Sequence, residues 1–142
     1  MTRAHRRDKG TTGGSVITGL RLEADAAARL REHAVQRAGG DITEMVRYYV
    51  RAGLGFTHDD INRREAAGQL GNSGVAGLRL EADAAGQLGR IADEHGMART
   101  GLVRHYVRLG LGYQEKVSFQ REERFARIAA ARRELADSYK DI

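Results

Sequence analysis

The chain has 142 residues, 41% of them hydrophobic, carries a formal charge of +5 and has an isoelectric point near 10.0. It contains no cysteine, proline or tryptophan, which excludes a disulfide framework and a thiolate metal site, while plentiful Ala, Leu, Arg and Glu favour helices over an all-β sandwich. A chain this short forms one domain or two very small ones with thin cores, and its basic balance suits a polyanionic partner.

Residues 1–16 carry Arg3, Arg6, Arg7 and Lys9 against only Asp8, and Gly13-Gly14 precede the first patterned segment. A flexible basic arm is expected here. The arm lacks the apolar stretch of a signal peptide, and no later apolar run approaches a membrane span, so a soluble, cytoplasmic protein is expected.

In Thr18-Gly19-Leu20-Arg21-Leu22 the apolar residues alternate, which predicts a short strand with Leu20 and Leu22 inward and Gly19 and Arg21 outward. Ile17 also faces out if the strand is regular, or turns back to the core if a bulge intervenes. A first helix is expected over Glu23 to Ala38, where Ala26, Ala27, Leu30 and Ala34 recur at helical spacing. Asp41-Ile42-Thr43-Glu44 has the form of a capping box, with Asp41 capping and Glu44 reaching back. The second helix it opens runs through Val46, Tyr49 and Val50 and ends near Gly53 and Gly55. Residues 57–74 read as a linker holding a short helix, Asp60 to Leu70, closed by Gly-Asn-Ser-Gly.

The pattern then repeats. GLRLEADAA stands at Gly19 to Ala27 and again at Gly77 to Ala85, and MVRYYVRAGLGF (Met45 to Phe56) returns as LVRHYVRLGLGY (Leu102 to Tyr113). The second copy has Leu78 and Leu80 inward, Gly77, Arg79 and Val75 in the places of Gly19, Arg21 and Ile17, with the same two readings open for Val75 as for Ile17, and a first helix built on Ala84, Ala85, Leu88, Ile91 and Ala92. Its second helix starts at Ala98-Arg99-Thr100-Gly101, without the acidic cap or the glutamate. A charged helix with sparse apolar positions, Val117, Phe125, Ile128 and Leu135, is expected over residues 114–142, either bracing the two copies or joining two chains.

The order strand, helix, helix, with LRL, a first helix ending in Ala, then Gly, a polar cap and Thr43-Glu44-Met45-Val46-Arg47, resembles the ribbon-helix-helix family, the class of the Arc and methionine repressors. The resemblance covers roughly residues 17–55 and 75–112. It implies a mainly α fold in which the two β-α-α repeats, 17–56 and 75–113, form an intramolecular pseudo-dimer around a two-stranded antiparallel ribbon, followed by the C-terminal helix. It further implies binding of double-stranded DNA, with the ribbon in the major groove. Arg21 and Arg79 then stand at base-contacting positions, flanked by Gly19, Gly77, Ile17 and Val75. Thr43, Arg99 and Thr100 lie at the helix starts that clamp phosphates, with Arg3, Arg6, Arg7 and Lys9 of the arm along the backbone. Asp41 near a phosphate predicts a weaker grip by the first copy.

The expected role is a sequence-specific transcriptional repressor. The alternatives are an accessory factor in plasmid transfer or partition and, in another class, an antitoxin-like interaction module whose tail folds on its partner. No enzyme, cofactor or metal is expected, since the five histidines lack zinc-ligand spacing and no phosphate-binding loop or nucleophile elbow is present.

Overall fold

A computed structural model describes residues 14–140. The basic arm residues Arg3, Arg6, Arg7 and Lys9 lie outside the described residues. The first elements are two short strands, β1 (Ser15–Ile17) and β2 (Leu20–Arg21), joined through Thr18-Gly19. Gly19 sits at φ +85°, a conformation that side chains rarely adopt, and this lets two residues reverse the chain. After α1 (Ala24–Arg37), α2 (Ile42–Gly53) and α3 (His58–Ala67), the same device returns in β3 (Gly71–Val75) and β4 (Leu78–Leu80), turned at Ala76-Gly77 with Gly77 at φ +82°. Three further helices, α4 (Ala82–Glu94), α5 (Arg99–Gly110) and α6 (Glu115–Lys140), complete the described chain, which is mainly helical.

The two LRL segments do not pair with each other. β1 pairs with β2 and β3 with β4 in separate two-stranded sheets, so the ribbon expected from the two repeats together is not formed. The reason is the short path along the chain: each two-residue turn closes a hairpin locally, at less loop entropy than the far longer closure a shared ribbon requires. The local partners are segments that read as linker. Gly-Asn-Ser-Gly is not the end of a loop but most of β3. The hairpins nevertheless meet turn to turn, since a Cβ on Gly19 would lie 2.8 Å from the backbone oxygen of Ala76, and one on Gly77 2.6 Å from that of Thr18.

Local signals place the helices within a few residues of expectation. The Asp41 side chain accepts from the Glu44 N–H at 3.0 Å and opens α2, but the Asp41 N–H donates to the Ala38 carbonyl at 2.9 Å, so only half of the capping box is made. α3 starts earlier than predicted because Thr57 caps it, accepting from the Asp60 N–H at 3.2 Å, and it stops at Gly68 rather than running to Leu70. Glu23 and Glu81 precede α1 and α4 without capping them, because both carboxylates are engaged elsewhere.

One apolar core serves both repeats. Leu20, Leu22, Leu78 and Leu80 are buried in it with Leu30, Leu88, Val46, Val50, Val103 and Val107. α2 and α5 pack directly on each other and run in opposite directions, the ring of Tyr49 lying on Gly110 and that of Tyr106 on Gly53. At the crossing sit Arg51 and Arg108, neither exposed to solvent. Arg51 donates to Glu81 of the second repeat, and Arg108 donates to Glu23 of the first through Nε at 3.2 Å and Nη2 at 3.0 Å. This exchange, in which each half gives an arginine and receives one, is the contact of a two-fold dimer made within one chain.

The repeat is longer than its apolar pattern shows. Arg51 also holds Glu65 on α3 at 2.8 Å, and Arg108 holds Glu122 on α6 at 2.7 Å. Arg47 pairs with Glu65 and Arg104 with Glu122, while Arg64 reaches Asp83 at 2.8 Å and Arg121 reaches Asp25 at 3.1 Å. α3 and the first turns of α6 are therefore one element used twice, not a linker and a tail. The guanidiniums beside Glu65 hold its carboxyl below the usual range against the opposing effect of burial.

α6 braces the fold through its first half, where Ser118 and Glu122 are buried, and residues 131–140 are exposed. His105 on α5 hydrogen-bonds the Ser118 hydroxyl at 2.7 Å and stacks on Phe119 with ring centroids 4.4 Å apart. Burial pushes the imidazole pKa down, more than the nearby Glu115 and Glu122 pull it up. The unfolded chain then binds the proton more readily than the folded one, so stability is full above the ordinary imidazole value near 6.5 and falls as the pH drops through it. Urea unfolding at pH 7.5 and 5.5 is expected to show a smaller difference in His105→Gln than in the parent chain; an unchanged difference would remove His105 as the cause.

Candidate nucleic-acid interface

Alternation along each hairpin separates a core face from a solvent face. Leu20, Leu22, Leu78 and Leu80 line the core, so Arg21 and Arg79 between them face away from it, and both are exposed. The leucines of both hairpins enter the same core, and each arginine lies on the side of its hairpin away from it. Ser15 pairs with Arg21 across the first hairpin and Asn72 with Arg79 across the second, and both partners are exposed. The exposed turn residues Thr18, Gly19, Ala76 and Gly77 lie where the hairpins meet. Neither Ser15 nor Asn72 was expected here; the two-residue turns alone would set Val16 opposite Arg21 and Gly74 opposite Arg79, and a register shift in the first strand of each hairpin puts Ser15 and Asn72 there instead.

The two arginines are not equally free. Arg79 Nη2 donates to the Leu70 carbonyl at 2.9 Å, whereas Arg21 makes no hydrogen bond among the described residues. Gly19 and Gly77 occupy turns, which corrects their expected place on an outward strand face. Val75, offered as a base contact, takes the inward of its two readings: it is buried against the core, because the register shifts between Asn72 and Val75 and Gly74 takes φ +85°. Ile17 is half-buried and packs on the same core, so neither residue presents a free methyl face of the kind a regular outward strand requires.

The helix starts differ as their sequences do. Thr43 and Thr100 are each half-buried in the first turns of α2 and α5. Arg99 does not simply extend into solvent: its Nη1 donates to the Ser73 carbonyl at 3.2 Å, and its guanidinium lies over Gly74 and Gly89, where a Cβ would collide with it. It therefore ties the start of α5 to β3, which the pattern Ala98-Arg99-Thr100 did not reveal. Among the described residues no group of three His, Asp or Glu could hold a metal, and no helix is long and apolar enough to cross a membrane.

Compared with family models, curated proteins and solved structures, the chain matches none.

Proposed function

We propose that this protein binds double-stranded DNA in a sequence-dependent way through the solvent face of its two hairpins, and that it acts as a transcriptional repressor by occupying its site. The observation that carries the reading is the pair Arg21 and Arg79: equivalent, exposed, and backed by one core in hairpins that touch at their turns. A guanidinium offers two donors to O6 and N7 of guanine in the major groove, and each hairpin is itself a two-stranded ribbon narrow enough to enter it. Ser15 and Asn72 beside the arginines add shorter polar contacts, and the isoelectric point near 10.0 supplies the general attraction to phosphate. In this arrangement Arg79 exchanges its bond to the Leu70 carbonyl for a base, while Arg21 has nothing to give up among the described residues. Accessory roles in plasmid transfer or partition use the same face. The docked first half of α6 favours either over an antitoxin-like tail that folds only on its partner.

The test is selection of bound duplexes from a random pool, followed by anisotropy titrations. Arg21→Ala and Arg79→Ala are each expected to weaken the selected site by about 1–3 kcal/mol and to relax preference at one base position, with circular dichroism unchanged. Loss for Arg21→Ala is expected to exceed that for Arg79→Ala. Failure of any sequence to be enriched, or undiminished binding by the double variant, would remove the hairpin face as a DNA reader.

A further inference from the structure

In the first repeat a cleft of about 330 Å³ opens between the end of α1, the start of α2 and one side of α3. Its floor is apolar, with Met45 and Ile61 buried, and the Tyr48 ring, hydrogen-bonded through its hydroxyl to His58 Nδ1 at 2.7 Å, forms a wall. Most polar groups around it are already engaged. Arg51 is held by Glu65 and Glu81, Glu65 by Arg47 and Arg51, and Asn62 by His58. Two opposite charges remain. Arg37 makes only a 3.5 Å contact to the Tyr49 hydroxyl, and Glu44 receives no ion pair; among the described residues neither has a charged partner, and they do not pair with each other.

The second repeat shows that the fold does not need these two charges. At the corresponding places it has His95 for Arg37 and Gly101 for Glu44, and it builds the same helices. It also places Phe119, the counterpart of Asn62, in a stack on His105, the counterpart of Tyr48. In the first repeat no ring stands at Asn62, the ring of His58 meets Tyr48 edge-on with centroids 5.8 Å apart, and the rim carries a cationic and an anionic group, Arg37 and Glu44, that the second repeat lacks at those places. Burial, followed by the like charges of Glu65 and Asp41, pushes the Glu44 carboxyl up against the opposing pull of Arg47 and Arg51.

We infer that this cleft binds a small zwitterion of the aromatic α-amino-acid class, its carboxylate on Arg37, its ammonium on Glu44 and its ring against Tyr48. Both end groups form charge-assisted hydrogen bonds, the stronger kind, and the volume is that of a small-molecule site. The inference is independent of the DNA-binding reading.

The full chain is titrated with L-phenylalanine, with 2-phenylethylamine, which keeps only the ammonium, and with 3-phenylpropionate, which keeps only the carboxylate, while amide signals are followed by NMR. L-Phenylalanine is expected to shift the signals of Glu44, Tyr48 and Asn62 and to bind about tenfold more tightly than either analogue. Glu44→Gln reduces this preference to the level of phenylpropionate, and Arg37→Gln to that of phenylethylamine. Asn62→Phe, which installs the ring found in the second repeat, abolishes binding with the fold retained. No shift with L-phenylalanine at about 10 mM, or equal affinity for all three probes, overturns the assignment.

Discussion

Arg108→Ala is expected to cost about 3–5 kcal/mol of stability, a large part of what a domain of this size possesses. The side chain is fully buried and donates to Glu23 and Glu122, which are themselves nearly enclosed. Removing it leaves two carboxylates at the centre of the molecule with one cation fewer, and the penalty is that of uncompensated buried charge rather than the modest net worth of an ion pair. The reciprocal position gives an internal check, because Arg51→Ala strands Glu81 and Glu65 in the same way and belongs in the same range. Urea unfolding reads both, with exposed Arg21→Ala as a control within about 0.5 kcal/mol of the parent. Losses below about 1 kcal/mol at both buried positions would mean that the two halves are held by their apolar contact alone.

Gly110→Ala reverses an ordinary expectation. In the body of a helix the change stabilises by roughly 0.5–1 kcal/mol, because alanine restricts the unfolded chain. Here the new methyl would fall within the Tyr49 ring, as a methyl at Gly53 would fall within Tyr106, so the helices must separate or the rings must leave their places. A net loss of about 1–3 kcal/mol is expected, the range for overpacking a filled interior. Gly86→Ala on α4 supplies the contrast, since a Cβ there meets only Arg90 Nη1 at 3.8 Å, and it is expected to stabilise. Tyr49→Ala in the Gly110→Ala background is expected to cost less than Tyr49→Ala alone, and a double-mutant cycle measures that coupling. Equal gains at Gly86 and Gly110 would show that α2 and α5 are not in close contact.

The alternation in LRL and the helical spacing of Ala26, Ala27, Leu30 and Ala34 made the inner face of each repeat legible, because local periodicity is set by which side of an element meets the core. The partner strands were not legible. Ser15-Val16-Ile17 is too short to show a period, and Gly71 to Val75 has the composition of a turn, yet pairing is decided by the tight reversal that follows each. Nothing in Val46-Arg47 or Val50-Arg51 marks the two arginines as buried. Their burial depends on glutamates far along the chain, a relation that no window of sequence contains. The equivalence of α3 and α6 left only Arg64-Glu65 and Arg121-Glu122 as a common trace, too little to stand out in a chain rich in both residues. At the candidate site Arg21 and Arg79 were legible as outward residues, but the outward and inward readings of Val75 were not separable there, since a register shift at Gly74 decides between them.

Only Gly68, Gln69 and Leu70 separate α3 from β3, so the exchange of Arg51 and Arg108 takes place between halves that cannot drift apart. For two separate subunits the same contacts would weaken on dilution, whereas here mass action has no hold on them. The melting temperature of this chain should be the same at nanomolar as at micromolar protein. The two halves are then also free to diverge, since a change in one is never imposed on the other.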